Sequence, residues 1–314
     1  MKKIVTVGGG TGQYMVLKGL KNYDVDLTAV VNVCDDGGSS GKLRVDFGVL
    51  PPGDIRNCLV ALSDDSCTKE LIELFSYRFD SGKKGKMNHN LGNLILTALM
   101  KKYGNIAEAT KIAAKILNIK GKVYPVTIDN TTLFAKTNEN RVIRGENKIT
   151  SSLKKEERII NLWISPKAFI YREAAEEIRE ADLIVISAGD LYGSVIPNFL
   201  VEGFKEAIKK RKGKIVYVCN LVTKRGTYGF KASDFVREIE KYLEERLDYI
   251  ICNTKKPTRK VVDKYSEEES FFVEIDINEK RVIKKDLLIE FIIDNKITAR
   301  HDSEKLAKIL VELV

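Results

Sequence analysis

Hydrophobic positions along this chain switch repeatedly between unbroken short runs and helical spacing. Runs at 4–7, 27–33, 183–186, 215–218 and 249–251 are continuous and apolar, the pattern of strands buried on both faces. The segment 158–164 reads as a further strand. Helical spacing occupies 14–20, 54–62, 71–79, 91–102, 106–117, 198–210 and 233–245, and Asp302-Ser303-Glu304 opens a last helix. Asp54 is expected to cap its helix after the turn Pro51-Pro52-Gly53, and Ser165 to cap one beginning at Pro166. Between 121 and 149 the pattern becomes short and β-rich, with turn signals at Asp129-Asn130 and Asn138-Glu139-Asn140. The pattern predicts an α/β fold over 1–314: a doubly wound, mostly parallel sheet with helices on both faces and a small β-rich insertion at about 121–150.

In such a sheet ligands bind outside the carboxyl ends of the strands. Five segments lie there: Gly8 to Gly12, Asp35 to Gly38, Ser187 to Asp190, Asn220 to Gly229, and Asn253-Thr254. All are small or polar. Ordinary turns need less, so a ligand crevice is expected. Gly8, Gly10 and Gly12 open a helix, but Gln13 stands where a full dinucleotide fingerprint has glycine. The loop suits either a phosphate at the helix N-terminus or close strand–helix packing. Asp35 follows Gly12 by 23 residues, at the place of a ribose-binding acid.

The run Asp35-Asp36-Gly37-Gly38-Ser39-Ser40-Gly41 sets two carboxylates beside a loop able to receive an anion. A carboxylate about 4 Å from a phosphate costs on the order of 4 kcal/mol at an effective dielectric of 20. Asp35 and Asp36 must therefore hold a metal, bind hydroxyls or point away.

Composition narrows the classes. The chain has 314 residues, 31% charged and 44% hydrophobic, with a net charge of +9. Lysines and arginines are interleaved with glutamates and no aromatic–basic motif appears, which argues against nucleic acid. A basic surface that draws an anionic small molecule fits equally well. No apolar run approaches a membrane span, and Met-Lys-Lys-Ile-Val-Thr-Val enters a strand directly, so a cytoplasmic protein without membrane insertion is expected. Five cysteines form no C-x-x-C pair and are expected to be reduced; Cys34, Cys219 and Cys252 close apolar runs and read as buried.

Among other polar residues, Arg56 in Asp54-Ile55-Arg56-Asn57 offers either a phosphate fork or an exposed first-turn arginine. His89 lies in the polar cluster 88–93 and suits either acid–base work or a structural hydrogen bond. His301, read alone, is a cap or surface residue. No nucleophile–base pair and no zinc pattern is legible. Any chemistry would be group transfer from a nucleotide-linked donor, with Mg²⁺ on Asp35 or Asp36.

The glycine loop 8–12, the Asp35 to Gly41 run, residues 50–59 and His89 with Gly92-Asn93-Leu94 resemble the YvcK branch of the YvcK/CofD-like family. Leu191-Tyr192, Pro197-Asn198, Val218-Cys219-Asn220-Leu221 and Arg300-His301-Asp302 do so too. The likeness runs from Lys3 to about Leu310. It implies a Rossmann-like fold. The YvcK branch is linked to gluconeogenic growth, cell shape and envelope synthesis, and binds UDP-sugars such as UDP-N-acetylglucosamine. The CofD branch is a Mg²⁺-dependent 2-phospho-L-lactate transferase. Carried over, the resemblance implies a ligand set of Gly9, Gly10, Thr11, Gly12, Gly37, Gly38, Ser39, Ser40, Asp54, Arg56, Asn57, Asn93, Asp190, Tyr192 and Asn220. Tyr265 and Arg300 would hold the uridine end, and Asp35, Asp36 and His89 would be the catalytic set of a transferase. A homo-oligomer and a regulatory protein partner are also expected. The chain departs from the family at Asp190, in the shorter loop 223–229, and at Asn88 and Asn90. The expected function is a nucleotide-sugar-binding regulator, the alternative a CofD-type transferase.

Overall fold

The computed structural model describes residues 1–64, 66–79, 89–293 and 296–314. Its strands are β1 (Lys2–Gly8), β2 (Val25–Val31), β3 (Lys122–Pro125), β4 (Thr132–Thr137), β5 (Val142–Arg144), β6 (Ile159–Ser165), β7 (Leu183–Ile186), β8 (Lys214–Val218), β9 (Tyr249–Asn253), β10 (Val282–Lys285), β11 (Leu288–Ile293) and β12 (Lys296–His301). Seven of them form one sheet in the order β10-β9-β8-β7-β1-β2-β3. Every neighbouring pair in it is parallel. Apolar runs such as Leu183–Ile186 are wholly buried, as a sheet covered on both faces requires.

The chain first builds outward from β1 through β2 to β3. It then returns to β7, on the other side of β1, and builds the opposite way. The strand order therefore reverses between β1 and β7, the place in an open α/β sheet where a ligand crevice is expected.

Several expected elements are redrawn. The segment Gly38–Phe47 is a helix, so the glycine–serine run forms its first turn rather than an open loop. Glycine and serine are poor helix formers, which hid it. Asp54 sits inside the first turn of helix Gly53–Leu62, whose cap is Pro52. No helix begins at Pro166: β6 runs to Ser165, the Thr131 hydroxyl donates to the Pro166 carbonyl at 2.6 Å, and the helix starts at Arg172. The span 198–210 is cut into Ile196–Phe199 and Phe204–Lys209 at Gly203, whose φ is +90°. Of the β-rich stretch, β3 joins the large sheet, while β5-β4-β6 form a separate antiparallel sheet that takes in the later strand. Helix Arg259–Glu267 and the hairpin β11–β12 have no counterpart in the sequence reading. Among the described residues no helix is long and apolar enough to cross a membrane.

Candidate functional site

The crevice begins at the glycine loop after β1. Gln13, fully buried, donates its amide to the Thr6 carbonyl (3.2 Å), the Thr6 hydroxyl (3.1 Å) and the Val30 carbonyl (3.1 Å). It pins helix Gly10–Leu20 onto β1 and β2, a reason for glutamine where a fingerprint has glycine. A Cβ on Gly12 would fall onto the Ala188 carbonyl, and one on Gly9 onto the Asp54 carboxylate. These two glycines answer to close approach. Gly10 has a φ of +67° and open space around it.

Asp54 accepts a hydrogen bond from the Gly10 backbone N–H and another from Asn57. A protein carboxylate thus already occupies a donor that a phosphate would use. Burial, and then the charge of Asp35, push the Asp54 carboxyl up to about 7.

Asp35 accepts from the Gly37 N–H at 2.9 Å and from the Ser40 hydroxyl. Burial is the main cause that raises its pKa. Asp36 turns toward the small sheet and accepts from the Asn147 N–H at 2.7 Å. Both carboxylates are thus held by protein donors. Glu146, which the sequence reading did not single out, completes the group from helix Glu146–Ser152. Burial pushes its carboxyl up to about 8, with Asp35, Asp190, Asp36 and Asp54 adding like charge in that order. Asp190 caps the turn Leu191–Val195 by accepting from the Gly193 N–H at 2.8 Å.

A second polar group lies behind Ser39. The Asn93 amide donates to its hydroxyl at 3.3 Å, and the hydroxyl meets His89 Nδ1 at 3.0 Å. His89 and Asn93 are buried. Asn90 caps helix Leu91–Tyr103 through the Asn93 N–H. Arg56 packs on Gly92, and burial with the charge of Arg78 pulls its pKa down to about 10.

On the β7 side, the Asn198 amide donates to the Ser194 (2.9 Å), Val195 (3.1 Å) and Gly8 (3.4 Å) carbonyls. Asn32 ties the β2 loop to the Gly193 carbonyl at 3.0 Å. Asn220 donates to the Gly189 carbonyl at 2.6 Å and accepts from the Tyr217 hydroxyl at 2.7 Å. Four buried polar atoms around these groups have no partner among the described residues: Arg56 Nε, Asn93 Oδ1, Ser187 Oγ and Asn198 Oδ1.

The remaining expected residues lie differently. Thr11 is exposed, and Gly37, Gly38 and Ser40 start helix Gly38–Phe47. Tyr192 is buried with its hydroxyl on Glu238 (3.3 Å). Tyr265 packs with Phe272, Val261, Leu288 and Ala299, and its hydroxyl bonds both the N–H and the carbonyl of Ala299. Arg300 donates to the Ala299 carbonyl at 2.9 Å. His301 is buried rather than a surface residue or cap; Asp302 caps helix Ser303–Glu312. Burial pulls the His301 imidazole down to about 4. Asn88 lies outside the described residues. All five cysteines are buried and free.

Comparison with known proteins agrees with this architecture. A family model described as 2-phospho-L-lactate transferase CofD matches residues 4–293, so the chain belongs to the CofD family. Within it, a Thermotoga maritima protein is 44% identical over 315 residues, covering 98% of either chain. A Bacillus subtilis protein named gluconeogenesis factor is 38% identical, covering 99% of this chain and 98% of its own. The crystal structure of protein BH3568 from Bacillus halodurans superposes with a TM-score of 0.91 at 36% identity, over 99% of both chains.

Proposed function

We propose that this protein is a cytoplasmic gluconeogenesis factor of the YvcK type that binds a nucleotide-sugar, with UDP-N-acetylglucosamine as the model ligand, and regulates cell shape and envelope metabolism. The observation that carries the reading is a set of buried polar atoms without a partner among the described residues: Ser187 Oγ and Asn198 Oδ1 beside the glycine loop, and Arg56 Nε and Asn93 Oδ1 behind Ser39. Buried polar groups are normally paired, and a polyhydroxyl ligand supplies partners of both kinds. The carboxylates favour hydroxyls over phosphate, and Arg56, whose charge reaches Asp54, is a cation able to receive a diphosphate.

The second reading, a CofD-type transferase using Mg²⁺, draws on the oxygen donors Asp35, Asp36 and Glu146, which are the right kind for that ion. Among the described residues, however, no three potential ligands stand together to hold a metal. The donors fit Mg²⁺ in type but not in placement.

Calorimetry with UDP-N-acetylglucosamine, GDP and GTP, each with and without Mg²⁺, tests both. Binding of the uridine ligand without turnover is the expected result. A response confined to guanosine nucleotides and dependent on Mg²⁺ would promote the transferase.

A further inference from the structure

Beside the crevice, on the far side of Asp36, lies a separate cavity of about 740 Å³ between helix Gly38–Phe47 and the small antiparallel sheet. Its wall carries Arg44, Arg144 and Lys148 against one carboxylate, Asp36. Most ion pairs of this chain join a lysine or arginine to a nearby glutamate, as in Lys122–Glu177 or Lys205–Glu244. Among the described residues none of these three cations makes such a pair.

Arg44 and Arg144 are also held in place. Arg44 donates through Nη2 to Asn130 Oδ1 (2.7 Å) and to the Thr131 carbonyl. Those acceptors are neutral, and although its charge is felt at Asp35 it forms no ion pair there, so it is oriented but only partly offset; its other nitrogens have no partner among the described residues. Arg144 stands 5.9 Å from the Phe134 ring, which stacks on Trp163 at 5.6 Å. A cation over an aromatic face keeps its full charge. Guanidinium groups that lack an ion-pair partner are suited to a phosphate or carboxylate fork. Asn130, Thr132, Asn147 and Ser165 line the same space with neutral hydrogen-bonding groups suited to hydroxyls.

We propose that this cavity is a second ligand site, which binds a small phosphomonoester bearing hydroxyl groups. Its phosphate lies between Arg44, Arg144 and Lys148, and its hydroxyls face Asp36. The proposal does not depend on what fills the crevice.

The test is calorimetry at fixed ionic strength with glycerol 3-phosphate as the probe, and with glycerol and sulfate as controls. Glycerol 3-phosphate is expected to bind and glycerol not. The paired change Arg144→Gln with Lys148→Ala is expected to weaken binding by about tenfold or more. Both side chains are exposed, and an unchanged thermal melt shows that the variant folds. Binding is expected to survive saturation with UDP-N-acetylglucosamine. No response to glycerol 3-phosphate, equal binding of sulfate, equal affinity in the variant, or displacement by the uridine ligand would each overturn the proposal. A phosphomonoester response without any uridine response would sink the crevice reading alone.

Discussion

Glu146 and Asp54 give single residues a measurable voice. Both carboxyls bind a proton more tightly in the folded chain than in the unfolded one, with folded values of about 8 and about 7. Their contribution to stability is therefore fully present below the ordinary carboxylate range. It is lost as pH rises through those folded values and stays lost above them. Glu146→Gln removes its share of that loss. The variant is expected to gain roughly 2–4 kcal/mol over the parent at pH 9 and much less at pH 5. Urea unfolding at the two pH values measures it, and an equal effect at both would refute the assignment. Glu146 escaped the sequence reading because its environment is made by distant residues. Asp35 and Asp36 come from the β2 loop and Asp190 from the β7 loop, and only the folded chain brings them near. By contrast, Asp35 and Asp36 were legible, since two carboxylates before a glycine–serine run pose an electrostatic conflict by themselves. Gly37, Ser40 and Asn147 resolve it.

At the scale of elements, the glycine loop separates packing from conformation. Gly12 lies against the Ala188 backbone, which cannot yield as a flexible side chain would. Gly12→Ala is expected to destabilise the fold by about 3 kcal/mol or more. Gly10→Ala meets open space and bears only the cost of a positive φ, about 1–2 kcal/mol. Thermal melts of the two variants rank them, and the reverse order would show that the loop geometry is otherwise. Strand–helix alternation was legible because a sheet covered on both faces needs unbroken apolar runs, as in β1, β2, β7, β8 and β9. Helix Gly38–Phe47 was not, since its first turn is glycine and serine. Nor was the division of 121–149 between two sheets, because strand pairing is set by long-range register rather than by local pattern.

For the molecule as a whole, burial governs the thiols. All five cysteines are enclosed, so native protein is expected to react with an aromatic disulfide reagent far more slowly than unfolded protein does. Cys252 is expected to react first. It lines a cavity of about 400 Å³ with Lys284, and its pKa is lowered by a hydrogen bond from Cys219 and by that lysine. Mass spectrometry of partly labelled protein identifies the leading site. Another cysteine in front would mean that the route to the sulfur lies elsewhere.

Helix Ser303–Glu312 rests on helix Gly10–Leu20, so closely that Gly19 has no room for a Cβ beside the Ser303 backbone. Leu306, Ala307 and Leu310 enter the same core as Val16, Leu17 and Leu20. The helix that follows the glycine loop is thus covered by residues made long after it. During translation helix Gly10–Leu20 must wait for Ser303–Glu312 to emerge before it is sealed, the slow, high-contact-order case in which an apolar surface stays open. On a ribosome stalled before Ser303, the nascent chain would present that surface to chaperones.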